Sequence, residues 1–360
     1  MRAFRVQTAQ HTYRCLVERG AIAQLNAAIP GSASSVFVVT TPRVWTLHGN
    51  RLAQGLDYRD FTVLVFDEGE QNKRLANVET LAEQMVHAGA DRRAIIVGFG
   101  GGVVTDIAGF LAAIYMRGID IVQIPTTLLA QVDAGIGGKT GVNLASGKNL
   151  LGSFHHPVAV LIDPDVLQTL PAREYRAGLF EIIKCGVIRD AHLFDALADR
   201  SQDVLSMEPA LLDELIGAAV KIKCEVVSMD DRESDLRRIL NFGHTVGHAI
   251  EAETGYERFL HGEAVGWGML VATRLAELLG ILEPDIARRI GTVICRYGPL
   301  PPVRDLDVDR LMARLANDKK TVSGRLHFVL PEAIGRVKIV SGIDPAAIRQ
   351  SIADVFTLRA

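Results

Sequence analysis

The stretch Ala94-Ile-Ile-Val-Gly-Phe-Gly-Gly-Gly-Val-Val-Thr-Asp-Ile-Ala-Gly-Phe-Leu111 passes from a β-branched run, through a glycine triplet, into an apolar helical pattern. Ala94 to Gly98 reads as a buried strand, and Val103, Ile107, Phe110 and Leu111 recur at helical spacing. A helix that begins where a strand ends on glycine offers main-chain N–H groups and its dipole to a phosphate. The strict Gly-x-Gly-x-x-Gly fingerprint is absent: counting from Gly98, its third position is Val103. A tight turn requiring positive φ is the other reading of Gly100-Gly-Gly102.

The alternation extends outward. Ser35–Thr40, Phe61–Phe66 and Ile119–Ile124 are further strand-like runs, and Leu75 to Ala88 is apolar at helical spacing. Strands alternating with helices imply a mostly parallel sheet with both faces covered. After Ile162-Asp-Pro164 the texture changes. From Pro171 to about Tyr297 the periodicities are helical, as in Pro209 to Val227 and Gly262 to Leu279, with hardly any strand signal. The expected architecture is an α/β N-terminal nucleotide-binding domain, residues 1–165, and an all-α C-terminal domain, residues 166–360. A small-molecule site is expected in the groove between such domains.

At 360 residues the chain is long enough for two cores, and 48% hydrophobic with 22% charged residues is an ordinary soluble composition. A net charge of −3 gives no global electrostatic case for nucleic acid or an anionic membrane. Met1 to Thr8 holds no apolar signal core, and no apolar run approaches the roughly 20 residues that span a bilayer. Cys15, Cys185, Cys224 and Cys295 are far apart with no Cys-x-x-Cys pair, which suits reduced, mostly buried thiols in a cytoplasmic protein.

Two further stretches carry chemistry. In Pro125-Thr-Thr-Leu-Leu-Ala-Gln-Val-Asp-Ala-Gly-Ile-Gly-Gly-Lys-Thr-Gly-Val-Asn143 a strand ends on threonines whose hydroxyls suit a helix cap. The chain then meets Gly137-Gly-Lys139, and Lys148-Asn149 follows; lysines on glycine-rich backbone suit phosphate or carboxylate, although solvated loop lysines are the plainer reading. In Asn241-Phe-Gly-His-Thr-Val-Gly-His-Ala-Ile-Glu251 the histidines His244 and His248 stand four apart, on one face of a helix. The His-Glu-x-x-His zinc hydrolases use this spacing, but Thr245 replaces their catalytic glutamate, so a metalloprotease is a poor reading. Half of a metal site and two packed helix histidines both remain open.

In sequence order these pieces resemble the 3-dehydroquinate synthase family of sugar-phosphate cyclases. The matching segments are Gly101-Gly-Val-Val-Thr-Asp106, Tyr115-Met-Arg-Gly118, Pro125-Thr-Thr127, Gln131-Val-Asp133, Gly137-Gly-Lys-Thr-Gly-Val-Asn143 and Gly147-Lys-Asn149. They continue with Leu170-Pro-Ala-Arg-Glu174, Ala177-Gly-Leu-Phe-Glu-Ile-Ile-Lys184, Leu236-Arg237, Leu240-Asn-Phe-Gly-His244, Gly247-His-Ala-Ile-Glu251, His261-Gly-Glu-Ala-Val265 and Asp318-Lys-Lys320. No single segment is specific; together they cover nearly the whole length.

The resemblance implies a dehydroquinate synthase-like fold, a homodimer, NAD as a recycled cofactor and a divalent metal, Zn2+ or Co2+. The family's metal ligands fall on Glu181, His244 and His261, with His248 turned toward substrate. A carboxylate with two imidazoles leaves zinc open positions for substrate oxygens. Plainer roles exist: Glu181 could pair with Lys184, and His261 could cap the helix near Gly262. Substrate contacts carry over to Asp133, Lys139, Asn149, Lys184, Lys223, Arg237, Asn241 and His248, with Arg117 reaching the partner subunit's phosphate site. One of Lys319 and Lys320 contacts substrate as well. NAD contacts carry over to Glu70, Lys73, Gly101, Gly102, Val103, Val104, Thr105 and Asp106. They continue at Thr126, Thr127, Lys148 and Thr169, and Lys139 also touches the cofactor side.

The family's reaction converts 3-deoxy-D-arabino-heptulosonate 7-phosphate to 3-dehydroquinate and phosphate. It proceeds by transient oxidation of C5, β-elimination, reduction and aldol closure. Zinc lowers the pKa of bound water from about 15.7 to about 7, and a similar effect on an alcohol is of order 10 kcal/mol. A general base alone supplies roughly 3–5 kcal/mol. Alternatives are a cyclase of the 2-epi-5-epi-valiolone or 2-deoxy-scyllo-inosose type and, more remotely, a metal-dependent glycerol-type dehydrogenase. An NAD-binding scaffold would have lost the metal triad. The chain departs from the family pattern at Thr41-Pro42, Thr105, Ala134-Gly135, His155-His156 and Cys185.

Overall fold

A computed structural model describes residues 2–9, 11–57, 59–233, 236–316 and 326–358. The chain forms two compact units, Met1–Tyr175 with Ile216–Arg232, and Arg176–Leu215 with Glu233–Ala360. The first unit runs past the anticipated cut at 165 and takes in part of the anticipated helical half. The reason is local: the Gln7 N–H donates to Ser228 Oγ at 3.0 Å, so the latter half of helix Pro209–Met229 lies along the N-terminal strands.

The first unit is built on a sheet of β1 (Arg2–Gln7), β2 (Thr12–Val17), β3 (Val36–Thr40), β4 (Phe61–Val65), β5 (Ile95–Gly100), β6 (Asp120–Pro125) and, later in the chain, β9 (Ala159–Ile162). Its strand order is β1-β2-β9-β6-β5-β3-β4. Only β1 and β2 pair antiparallel; the rest are parallel, as the alternating sequence implies. β3 and β5 are buried along their whole length because helices cover both faces. Side chains alternate: Phe37, Val39 and Ile96 enter one core, with Leu81 and Ile107, while Val36, Val38, Ile95 and Val97 enter the other, with Leu52 and Ile22. Between β6 and β9, the glycine-rich loop forms a hairpin of β7 (Lys139–Leu144) and β8 (Gly147–Phe154).

The second unit is helical, as anticipated, with one addition: β10 (His327–Ala333) and β11 (Arg336–Ser341) form an antiparallel hairpin. Its central helix, His261–Leu278, is buried on nearly every side, and Trp267 Nε1 donates to Pro301 O at 2.8 Å. None of the described helices is long and apolar enough to cross a membrane.

Helix His244–Glu253 crosses this central helix at glycine. A Cβ at Gly268 would overlap the carbonyl oxygen of Gly243, which itself sits at φ +82 as the N-cap of the crossing helix. Gly268→Ala is therefore expected to destabilise the protein by about 2 kcal/mol despite alanine's better helix propensity, because a backbone atom has to move. Chemical denaturation checks this; a neutral or stabilised variant would show that the helices are not held at this spacing.

Candidate active site

Glu181 lies on helix Ala172–Arg189 and is 1% exposed. Its Oε1 stands 3.6 Å from His244 Nε2 and 3.6 Å from His261 Nε2, too far for good hydrogen bonds. Two donors on one tetrahedral cation, at about 2.1 Å each, are roughly 3.4 Å apart, so this donor set fits a divalent metal. The other ring nitrogens explain the orientation: His244 Nδ1 faces Phe242 O at 3.2 Å, and His261 Nδ1 faces Glu251 Oε2 at 3.3 Å. Backbone carbonyls and carboxylates on the far nitrogen are what turn an imidazole toward a metal.

His248 joins the group: ligand nitrogens of His244, His248 and His261 all lie within 4.8 Å of one another. The His244 and His248 rings, one helical turn apart, meet edge-on at 5.3 Å. Burial opposes charging His261, but the Glu251 and Glu181 carboxylates outweigh it and hold its pKa at about 10. Lys184, also 1% exposed, pairs with Glu181 Oε2, so the ion pair foreseen as a plain alternative is present beside the imidazoles. His261 opens the central helix, yet the cap is made by Glu263, whose Oε2 accepts from the Leu260 N–H at 2.8 Å. Arg237 is fully buried, and Asn241 Nδ2 donates to Glu233 Oε1 at 2.7 Å. Glu251, 1% exposed, was not singled out from sequence. The signal was its place seven residues after His244, two turns along the same face.

In the first unit, the helix after β3 packs on one sheet face and the helix after β5 on the other. Between these strands the winding reverses, and at such switch points open sheets bind ligands beyond the strands' carboxyl ends. Those ends carry Thr40-Thr41 and Gly100-Gly101-Gly102, and Gly101 is the N-cap of helix Gly102–Ile114. Val104 and Thr105 are buried, and the Thr105 hydroxyl donates to Gly102 O at 3.0 Å. The Thr105 N–H donates to Gly101 O at 3.0 Å, so of the two only the Val104 N–H belongs to the open first turn that can serve an anion. Thr127 Oγ1 caps the next turn, accepting from Ala130 N–H at 3.2 Å.

A polar network adjoins this helix. Lys73, 4% exposed, pairs with Asp106 and donates to Asn149 Oδ1 at 2.5 Å. Asn143 donates to Glu70 Oε1 at 2.7 Å and accepts from the Asn149 N–H at 2.9 Å, while Lys148 lies 3.7 Å from Glu70. Burial raises the Asp106 pKa, against which the Lys73 ammonium works. Lys223 donates to Asp133 Oδ1 at 2.5 Å. Glu70, Lys73, Asp106, Lys148 and Asn149 are thus brought together, and Asp133 with Lys223.

Other residues stand apart. Thr169 hydrogen-bonds His48 at 2.9 Å. Arg117 lies exposed past the far end of helix Gly102–Ile114, whose 13 residues span about 20 Å, so it is remote from the glycine turn of its own chain. Thr41 is engaged as the N-cap of helix Pro42–Gly55. Lys319 and Lys320 lie outside the described residues.

Comparison with known proteins supplies what geometry alone does not. Residues 63–177 match the family described as 3-dehydroquinate synthase N-terminal, and residues 178–321 the one described as 3-dehydroquinate synthase C-terminal. A curated 3-dehydroquinate synthase of Solibacter usitatus (strain Ellin6076) is 55% identical over 344 residues, covering 96% of each chain. A solved 2-epi-5-epi-valiolone synthase from Streptomyces hygroscopicus subsp. jinggangensis 5008, with NAD+ and Zn2+ bound, is 33% identical with a TM-score of 0.88, covering 98% of this chain and 99% of that one. A solved 2-deoxy-scyllo-inosose synthase with carbaglucose-6-phosphate, NAD+ and Co2+ is 25% identical with a TM-score of 0.89, over the same shares. The imidazole–carboxylate cluster, the switch-point glycines and this full-length similarity lead to one assignment: the chain belongs to the 3-dehydroquinate synthase family.

Proposed function

We propose that the protein is an NAD- and metal-dependent cyclase that converts 3-deoxy-D-arabino-heptulosonate 7-phosphate to 3-dehydroquinate and phosphate, a cytoplasmic step of aromatic amino acid biosynthesis through the shikimate pathway. The observation that carries the chemistry is Glu181 Oε1 standing 3.6 Å from an imidazole nitrogen of both His244 and His261. Glu181, His244 and His261 would hold the Zn2+ or Co2+, which supplies Lewis-acid polarisation of a substrate hydroxyl. His248 and Lys184 then face the reacting end of the substrate, and Arg237 and Asn241 orient it. Asp133, Lys139, Asn149 and Lys223 serve the substrate from the first unit, where the cationic groups suit its phosphate and carboxylate.

NAD takes the switch point of the sheet. The N–H groups of the first turn, Gly101 through Val104, receive its pyrophosphate, with Thr105 and Asp106 on the next turn, Glu70, Lys73, Thr126, Thr127 and Lys148 around it, and Thr169 farther off on His48. Oxidation at C5 acidifies the neighbouring C–H so that phosphate leaves, and the same cofactor molecule returns the hydride. Holding one substrate conformation through these steps is a proximity task.

The functional unit is a homodimer. Ile114, Met116, Leu144, Leu150 and Phe154 leave large apolar side chains exposed on helix Gly102–Ile114, the turn after it and the β7–β8 hairpin. Gly109 of that helix meets Thr140 of β7, so the two elements are one packed block. Met116 (φ 46) and Arg117 (φ 75) are held in strained left-handed backbone on this block, as functional residues often are. Arg117 reaches the phosphate site of the partner subunit.

With the heptulosonate phosphate and catalytic NAD, the purified protein should release phosphate without NADH build-up, lose activity on chelation and regain it with Zn2+ or Co2+. Stoichiometric NADH would instead make it a dehydrogenase, and turnover of sedoheptulose 7-phosphate alone would move it to the valiolone-synthase branch. Glu181→Gln should lose both bound metal and more than about 100-fold in turnover. Glu251→Gln, acting through His261, should lose about 10–100-fold. Full metal content in Glu181→Gln would refute the ligand assignment. Arg117→Ala should be weakly active alone. Dissociated and re-associated with an equal amount of Glu181→Gln, it should recover up to about a quarter of the wild-type rate, since half the dimers then carry one intact site. No recovery on re-association would place Arg117 in its own chain's chemistry.

A further inference from the structure

We propose that His156 and Asp231 form a positioning pair that fixes the turn Gly137-Gly138-Lys139, and through it the ammonium of Lys139. The inference rests on the assignment of Lys139 to the substrate. His156 Nε2 lies 2.6 Å from Asp231 Oδ1, with the imidazole buried and the carboxylate partly exposed. The opposite edge of the ring abuts the turn: a Cβ at Gly138 would stand 2.9 Å from His156 Nδ1 and 3.1 Å from the His155 carbonyl. Gly138 (φ +66) and Gly137 (φ +101) adopt backbone that favours glycine, so the ring closes over a path with no side chain in the way.

The turn is held from two further sides. The His155 N–H donates to Gly138 O at 2.7 Å, and the Gly137 N–H donates to Tyr13 Oη at 3.0 Å. The rings of Tyr13 and His11 lie 5.6 and 5.5 Å from that of His156. Asp231 sits just beyond helix Pro209–Met229, and Lys223 on that helix holds Asp133. One helix and its C-terminal extension thus grip both ends of the loop from Asp133 to Lys139, one end by an ion pair and the other through His156. For packing alone an apolar pair would serve better, because a buried imidazole and its carboxylate partner carry a desolvation penalty. Lys139 itself is exposed at the start of β7, so the turn beneath it decides where its ammonium stands.

The test uses the full-length enzyme loaded with metal and NAD, comparing His156→Ala, His156→Gln, Asp231→Ala and Lys139→Ala. His156→Ala and Asp231→Ala should raise KM for the heptulosonate phosphate about tenfold, because a misplaced contact weakens substrate binding first. His156→Gln keeps a donor for Asp231 and should return KM most of the way. In a Lys139→Ala background, His156→Ala should add nothing further. An unchanged KM in His156→Ala, equal losses in Gln and Ala variants, or additive losses in the double variant would overturn the pair. If Lys139→Ala leaves KM unchanged, the substrate role of Lys139 fails, and this inference with it. If Lys139→Ala raises KM and neither His156→Ala nor Asp231→Ala does, the pair alone is refuted. Asp231 is partly exposed, so Asp231→Ala keeps the test decisive should His156→Ala fail to fold.

Discussion

A carboxylate buried to 1% exposure is the constraint around which the second unit is arranged. An isolated buried charge costs far more than folding can tolerate, so Glu181 has to be met by positive charge. Lys184 meets one oxygen from three residues along the same helix. The other faces His244 and His261, which come from different helices, and they reach it only because glycine lets those helices cross closely. With Glu251 behind His261, two carboxylates surround this imidazole. A proton held up to about pH 10, or a metal ion in its place, answers the same electrostatic demand. The site is therefore built to attract a cation before any substrate arrives.

Much of this was legible in the sequence, for identifiable reasons. The strands at Val36, Ile95 and Asp120 are buried on both faces, so they read as unbroken β-branched runs; the half-exposed edge strand at Phe61 reads the same way because its residues are also β-branched and apolar. The long helices at Pro209 and His261 declare themselves by length. Others were hidden. β1 at the sheet edge is mostly exposed, β2 sets Arg14 between the buried Tyr13 and Cys15, and β9 is four residues long. β7 and β8 contain glycines that read as loop, whereas the Gly137-Gly138 turn leads directly into a strand that begins at Lys139. The segment Ile216–Arg232 belongs to the first unit through contacts with β1 and β2, which no periodicity reveals.

For the site, residue types were legible and partners were not. The histidine spacing of 244 and 248 placed both rings on one face, but the sequence could not say that Glu251 would turn a third histidine. Nor did it show that Thr41 is engaged as a helix cap, or that His156 finds Asp231 across 75 residues. Long-range pairing of polar groups depends on packing directions that sequence separation does not encode. What sequence could offer was the resemblance, and that is strongest where glycine and charged residues are interleaved.

Among the described residues three lysine–carboxylate pairs have a buried lysine: Lys73 with Asp106, Lys184 with Glu181, and Lys223 with Asp133. All three ammonium groups are at least nine-tenths buried. On stability grounds such pairs are a poor bargain, since desolvation consumes most of the Coulomb gain and apolar replacements are often neutral or better. Their value lies elsewhere. A buried lysine without a carboxylate drifts toward the neutral form, whereas a paired one stays charged at neutral pH and stands in one place. Recognition of anionic, phosphorylated ligands calls for fixed positive charge, and charge fixed before binding costs no reorganisation at the moment of reaction. The burial of these ions is thus better explained by charge held in place than by stability gained.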